Sequence, residues 1–150
     1  MQLARSFLFT GFILSFLLGS CQPKLTPAIS SPTPPPATLH TTRWMLYCLE
    51  AQPVAANPER EMYLQLSATE TQAEGQAGCN QFRGSFTLPS EGKLHFGSLL
   101  STKMACPELA LENRFLNILS TTRSYRISGD TLRFYSETTV APVAVFLASK

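Results

Sequence analysis

The chain has 150 residues, of which 12 are basic and 10 acidic, so its formal net charge at pH 7 is only +2. With 15% charged and 44% hydrophobic residues, it lacks the composition of a highly charged disordered protein. It also lacks the dense Lys/Arg surface that binding to nucleic-acid phosphates requires. The length allows one compact domain with tails. The 11 prolines outnumber the 8 glycines, which reverses the usual order.

The first residues resemble a bacterial export signal. Arg5 precedes an apolar run over residues 7–18, which is too short to span a bilayer permanently. The run ends in Leu18-Gly19-Ser20-Cys21, which resembles the lipobox of bacterial lipoprotein signals, where the cysteine thiol receives a diacylglyceryl group. We therefore expect residues 1–20 to be a lipoprotein signal peptide and Cys21 to be the lipidated N-terminus. The alternative is a cleavable secretory signal in which Cys21 is incidental.

The residue after the lipobox predicts where such a protein resides. Gln22 follows the cysteine, whereas an aspartate there retains enteric lipoproteins in the inner membrane. By that analogy we expect a lipid-anchored protein of the outer membrane that faces the periplasm, provided that the source has two membranes. Two or three acyl chains on Cys21 hold a protein stably on a bilayer, while one chain does so only marginally.

A proline-rich stretch separates this signal from the remainder. Six of the 11 prolines lie in residues 21–42, at positions 23, 27, 32, 34, 35 and 36. Such a stretch favours the extended polyproline II conformation and forms a tether, or it is simply disordered. We place the folded domain at residues 43–150.

The domain shows mostly the two-residue periodicity of β-strands. Alternation predicts strands over residues 62–66, 82–88 and 94–96, a tight hairpin at Ser128-Gly129-Asp130, and a closing strand over residues 140–147 with Pro142 near its start. Residues 107–119 instead repeat apolar side chains at helical spacing. The expected fold is mainly β within the α+β class: an antiparallel, barrel-like sheet with one packed amphipathic helix.

The domain contains two motifs with flanking residues in a characteristic order: Trp44-Met45-Leu46, Gly75, Ala77-Gly78-Cys79-Asn80, Phe82, Gly84, the segment Ser101-Thr102-Lys103-Met104-Ala105-Cys106-Pro107, Glu112, and Phe115-Leu116. This set resembles the META domain family, which includes a bacterial heat-shock lipoprotein. The resemblance covers residues 43–150. It implies a small, partly closed, lipocalin-like antiparallel sheet with one helix, in envelope proteins linked to stress tolerance, and it implies no reaction.

The two family motifs imply a disulfide between Cys79 and Cys106, since a cysteine pair is expected to oxidise in the envelope. The alternative leaves both as reduced, buried thiols. Cys48 is then a core thiol of the first strand or a reactive one. The other motif residues are expected to have structural roles, with Asn80 holding a turn through its side chain. They are Trp44, Gly78, Asn80, Phe82, Gly84, Thr102 and Met104.

The remaining polar residues predict neither a metal, nor a cofactor, nor catalysis. Structural zinc sites typically use pairs of ligands that are close in sequence. No such pair occurs among the candidate ligands, which are Cys48, Cys79, Cys106, His40 and His95. His95 is expected to point to solvent and Trp44 and Phe86 to lie in the core. The carboxylates available for acid–base chemistry are expected in loops or at exposed helix positions. They are Glu70, Glu74, Glu91 and Glu112.

We therefore expect a lipid-anchored, non-catalytic envelope protein that acts in stress tolerance by contact with an unknown envelope protein or small ligand. The alternative is a calycin-like binder of a small ligand, or an inhibitor of an envelope-directed enzyme such as lysozyme. A cavity of several hundred Å³ inside the barrel would favour the ligand binder. A filled core would favour contact through the surface.

Overall fold

The computed structural model describes residues 37–57 and 59–149. The expected signal peptide, the lipidation site Cys21 and most of the tether lie outside these residues. The elements in chain order are β1 (Trp44–Leu49), β2 (Gln52–Pro53), β3 (Met62–Leu66), β4 (Gln72–Ala77), β5 (Gln81–Thr87), β6 (His95–Ser101), α1 (Leu109–Thr121), β7 (Ser124–Ser128), β8 (Thr131–Tyr135) and β9 (Ala144–Ala148). The helix α1 has 13 residues, and nothing helical among the described residues reaches the length and hydropathy of a membrane span.

All strands belong to one antiparallel sheet with the order β6-β5-β4-β3-β1-β9-β8-β7, and the short β2 pairs with β1. The sheet curls so that the residues just before the end strand β6 meet the start of the other end strand, β7. There the Leu94 N–H donates to the Arg123 carbonyl at 3.2 Å and the Tyr125 N–H donates to the Gly92 carbonyl at 2.9 Å. We call this contact the seam. The predicted partly closed, lipocalin-like sheet with one helix is confirmed.

The inner face of the sheet is filled by apolar side chains. In β3 the buried residues are Met62, Leu64 and Leu66, as the predicted alternation requires. The helix contributes Phe115, whose ring lies 6.1 Å from that of Phe146. This dense packing of aromatic rings supplies much of the hydrophobic stabilisation of the fold.

The packed chain begins before the expected boundary at residue 43. Leu39 is buried, and the Trp44 indole N–H donates to the Leu39 carbonyl at 3.2 Å. The His40 ring also lies 5.8 Å from that of Phe86. Residues 37–42, which the sequence analysis assigned to the tether, therefore belong to the fold, because one leucine among small and polar residues gave too weak a hydrophobic pattern.

Two other element bounds differ from expectation. The closing strand β9 spans Ala144–Ala148, later than the predicted 140–147, and Val140 is 99% exposed. The hydrogen bonding starts after Pro142, which has no N–H to donate, when Val143 donates to the Phe134 carbonyl at 2.8 Å. The helix begins at Leu109, two residues after Pro107. The strand β4 was not predicted.

Candidate functional site

The two motif segments meet beside the start of the helix. The first is the turn between β4 and β5, where Gly78 adopts a φ of 100° that favours glycine. The Ala77 N–H closes this turn by donating to the Asn80 carbonyl at 2.8 Å. The second is the segment between β6 and α1, residues 102–108. Neither segment is a regular element, so side-chain contacts must hold them together.

A disulfide between Cys79 and Cys106 joins the two segments. The Cα atoms lie 6.4 Å apart, across 27 residues of sequence. Both cysteines are half-buried. The structure thus contains the covalent link that the family motifs imply, and the two thiols are consumed by each other.

Asn80 supplies the second connection, through every polar atom of its side chain. Its Oδ1 accepts hydrogen bonds from the Thr102 hydroxyl at 2.7 Å and from the Met104 N–H at 2.7 Å. Its Nδ2 donates to the Met104 carbonyl at 3.2 Å and to Glu112 Oε2 at 3.0 Å. The sequence analysis expected this side chain to hold the turn, but its hydrogen bonds anchor the distant segment and the helix instead. The turn is closed by the Asn80 backbone carbonyl.

Glu112 lies at the base of this network and corrects an expectation. The sequence analysis placed it at an exposed helix position, yet it is 2% exposed and accepts the hydrogen bond from Asn80. Glu70 and Glu91 lie in exposed loops, as predicted, whereas Glu74 is exposed but lies in the strand β4. A carboxylate taken out of water needs such a partner, because burial without one costs several kcal/mol. The apolar periodicity of the helix could not predict the burial of Glu112, because its hydrogen-bond partner Asn80 comes from outside the helix.

The segment that Asn80 holds is itself exposed to solvent. Thr102, Lys103, Met104 and Ala105 are all exposed, and the Met104 side chain is 58% exposed. Met104 was expected to be structural. Its backbone is fixed at both the N–H and the carbonyl, while its side chain projects into water. Thr102 is exposed and also holds the segment in place, because its hydroxyl donates to Asn80 and accepts a hydrogen bond from the Gln81 N–H at 3.2 Å.

The other motif residues lie in the sheet and its core. Trp44 and Phe82 are buried, and the Phe82 ring packs edge-on against Phe115 at 5.8 Å. Gly84 leaves no room for a side chain, since a Cβ there would lie 2.6 Å from the Ser98 carbonyl oxygen. Phe86 is also buried. These residues shape the domain from within.

A cleft of about 310 Å³ opens next to the motif segments, between β1, the loop that follows β2 and the first turn of α1. Its apolar walls include Leu46, Val54 and Met62, and its charged rim includes Arg60, Glu61 and Glu108. Each of these charges is paired: Arg60 with Glu108, and Glu61 with Arg43 at 2.8 Å. The sequence analysis did not identify this cleft, because its walls come from elements that are separate in the chain.

The remaining candidate ligand residues are dispersed or already bonded. His40 Nδ1 lies 2.8 Å from the Ser67 carbonyl, His95 is exposed, and Cys48 is a half-buried free thiol in β1. Among the described residues, the group that brings metal-ligand atoms together is Cys79, Cys106 and Glu108, within 4.8 Å. Its sulfurs form the disulfide and its carboxylate pairs with Arg60, so the oxidised protein presents no free set of donors there.

Comparison with known proteins adds a family match and two structural relatives. A family model described as META domain matches residues 37–149. An NMR structure of a protein from Burkholderia xenovorans is 28% identical, with a TM-score of 0.58 over 86% of this chain and 99% of that one. A second NMR structure is 20% identical, with a TM-score of 0.57 over 74% and 94% of the two chains, and shows the fold alone. No curated protein matches the chain.

Proposed function

The chain belongs to the META domain family, and from this premise we propose that it is a lipid-anchored protein of the bacterial envelope. In this proposal Cys21 carries the lipid, and the protein resides at the outer membrane facing the periplasm. The domain acts without catalysis, by contact of its surface with another envelope component during stress.

The filled interior carries the choice of surface contact over an enclosed ligand. Trp44, Phe134 and Phe146 are fully buried in the core, and the Phe134 and Phe146 rings lie 4.9 Å apart. A ligand inside the curled sheet would have to displace these rings, whose close packing contributes strongly to stability. We therefore expect the protein to bind its partner through side chains on its outer surface.

The state of the reactive side chains supports a non-catalytic role. The motif thiols are joined, the buried Glu112 is hydrogen-bonded to Asn80, and the His40 ring lies against Phe86 and the Ser67 carbonyl. Nucleophilic catalysis needs a nucleophile within hydrogen-bond reach of a base. These groups are instead committed to holding segments of the fold together.

The disulfide also supports an envelope location. Structural disulfides persist in the periplasm and at cell surfaces, while cytosolic thiols are kept reduced. A Cys79–Cys106 link thus agrees with export directed by the residues before Cys21. In this proposal, lipidation of Cys21 in the lipobox then attaches the exported protein to the membrane.

Replacement of the lipidated cysteine tests the anchor. In cells fed radiolabelled palmitate, Cys21→Ala should lose the label, accumulate with its signal peptide uncleaved, and leave the outer-membrane fraction. Globomycin, which inhibits the lipoprotein signal peptidase, should likewise block processing of the natural chain. Cys48→Ala is the matched control and should keep both label and location. Unchanged labelling and fractionation of Cys21→Ala would refute lipid anchoring.

The cleft favours a second candidate function, the binding of a small uncharged apolar ligand. Its walls are apolar and its rim charges are paired within the protein, so a charged ligand would have to compete with existing ion pairs. About 310 Å³ also falls at the lower end of the range of small-molecule sites.

A neutral dye tests this second candidate. N-phenyl-1-naphthylamine should bind saturably at one site per chain and brighten. Ala56→Trp places a large ring at an exposed position of the cleft lining and should abolish this binding, whereas Ala141→Trp at another exposed position should not. Equal dye binding by the two variants would eliminate the cleft as the site.

A further inference from the structure

We propose that the segment from Thr102 to Ala105, named here the contact loop, is a preformed surface that docks into an apolar pocket with an acidic rim on another envelope protein. This inference rests on the proposed function, because it identifies the surface through which the non-catalytic contact is made. It assigns to Lys103 and Met104 the recognition itself, and to Asn80 a positioning role.

The contact loop combines exposure with fixed geometry. Its four residues are exposed, yet Asn80, which is fully buried, holds Thr102 and both backbone groups of Met104. The Thr102 N–H donates to the Gln81 carbonyl at 3.0 Å on one side, and the disulfide at Cys106 fixes the other. The core thus determines the shape of a loop whose side chains it does not bury.

The contact loop lies in a stretch of the described chain where exposed apolar side chains are close together in sequence. Seven large hydrophobic side chains are exposed among the described residues, and three of them, Leu100, Met104 and Leu109, fall within ten consecutive positions. Leu100 is 76% exposed. Methionine is flexible and polarisable, which suits it to protein-binding surfaces. An apolar pocket is the environment that would bury the Met104 side chain.

The positive charge of Lys103 predicts a negative charge at the rim of the partner's pocket. It is exposed and has no ion pair within the described residues, whereas the neighbouring Glu108 is paired with Arg60. A carboxylate at the rim of the partner's pocket would complement it. Binding to an anionic membrane surface would instead need a cluster of about four to eight basic residues, and Lys103 is the one basic residue between Leu100 and Leu109.

The hydrogen bonds to Asn80 have a consequence for affinity. A loop already held in its bound conformation loses less entropy when a partner immobilises it. Because its backbone is already fixed, the contact loop can bind more tightly than a flexible loop that buries the same area.

Site-specific photo-crosslinking in the full-length chain, expressed in its own cells, tests the contact loop. Benzoylphenylalanine replaces Met104 in one strain and Val140, the 99% exposed control, in another. We expect a discrete protein adduct of fixed mass from position 104 and none from position 140. Adding Lys103→Glu should lower the adduct yield at least about tenfold, because it opposes like charges, while Lys93→Glu at another exposed lysine should leave the yield unchanged.

Each contrary outcome overturns the proposal. These outcomes are the absence of an adduct at 104, an equal adduct at 140, or an adduct that is insensitive to Lys103→Glu in a variant with unchanged thermal unfolding. An adduct at 104 whose added mass is that of a phospholipid and is lowered by phospholipase would assign the loop to the membrane surface instead. Because the adduct is scored independently of fractionation, failure of the Cys21 anchor and failure of the contact loop are distinguishable.

A further variant changes the conformation of the contact loop without changing the side chains assigned to recognition. Thr102→Val, introduced beside benzoylphenylalanine at position 104, removes the hydroxyl that bonds to Asn80 and keeps Lys103 and the large apolar probe that stands for Met104. The adduct at 104 should therefore weaken although both side chains that meet the partner remain. Thr87→Val, at an exposed threonine at the end of β5, is the control. An unchanged yield in Thr102→Val would overturn the positioning role of Asn80.

Discussion

Asn80 shows how one side chain connects segments that lie apart in the sequence. Its amide bonds to Thr102, to both backbone groups of Met104 and to Glu112. Buried polar groups that are fully hydrogen-bonded in this way fix a unique arrangement, while a partly satisfied network is destabilising. The local sequence indicated a turn residue. It could not indicate the long-range partners, since these depend on the packing of the helix against the sheet.

Asn80→Asp should destabilise the domain by about 3 kcal/mol or more, because it removes the Nδ2 donor and sets a carboxyl group against Glu112 in the protein interior. The measurement is the free energy of urea unfolding, together with hydrogen exchange of the Met104 amide. In the natural protein that amide should be protected although its residue is exposed. The variant should lose this protection.

Asn113→Asp is the matched control, since Asn113 is exposed on the same helix. Its effect should remain within about 0.5 kcal/mol, as for most surface substitutions. Equal stability of the two variants would contradict the role assigned to Asn80.

Gly75→Ala tests the close approach of neighbouring strands in β4. A Cβ at this position would lie 2.0 Å from the Tyr63 carbonyl oxygen and 2.7 Å from the Phe82 ring. Because the carbonyl belongs to the neighbouring strand and cannot move freely, we expect a loss of about 1 to 3 kcal/mol, measured as a shift of the urea midpoint. An unchanged midpoint would show that the sheet yields at this position.

At the scale of the elements, covalent and polar links fix the segment between β6 and α1. The disulfide at Cys106 and the Thr102 hydroxyl hold its two ends. The sequence predicted the strands with clear alternation and the amphipathic helix. It did not predict β4, where Gln72, Glu74 and Gln76 alternate with alanine and glycine, because small side chains produce a weak hydrophobic pattern.

Removal of the disulfide should weaken the domain without unfolding it. Cys79→Ala combined with Cys106→Ala should lower the free energy of unfolding by about 3 kcal/mol, since the link restricts the unfolded chain across a loop of this length. Thermal unfolding with and without reductant measures this. Reductant should lower the midpoint of the natural protein and of Cys48→Ala, but leave that of the double variant unchanged. A double variant that still responds to reductant would contradict this assignment.

The ion pair between Arg114 of α1 and Glu50, in the turn after β1, should contribute little. Its closest atoms lie 2.6 Å apart, but the two side chains are 43% and 48% exposed. Arg114→Ala should therefore cost less than about 1 kcal/mol, and the difference should shrink in high salt because ions screen exposed charges. A loss of several kcal/mol would indicate that the helix depends on this pair.

At the scale of the whole molecule, the sheet is closed by very few bonds. Two backbone hydrogen bonds span the seam between the end strands, whereas β3 and β4 are paired along five residues. The sequence and the family resemblance together predicted this partly closed architecture. They did not predict where the seam lies, which depends on the twist that accumulates over all the strands.

Hydrogen exchange should detect opening of the seam. The amides of Leu94 and Tyr125 should exchange faster than those in the ladder between β3 and β4, because local opening at the seam breaks only a few hydrogen bonds. Exchange followed residue by residue by NMR provides the measurement. Equal protection at the two places would mean that the curled sheet opens only by global unfolding.

The pairing of β1 with both β3 and β9 also has a consequence for biogenesis. The first strand of the domain hydrogen-bonds to the last along its length, and the Ser149 N–H donates to the Arg43 carbonyl at 2.9 Å. The centre of the sheet thus stays incomplete until the final residues have been synthesised. Such long-range pairing forms late and slowly. The nascent chain therefore stays unfolded until β9 has been synthesised, which is the state that the export proposed above would require.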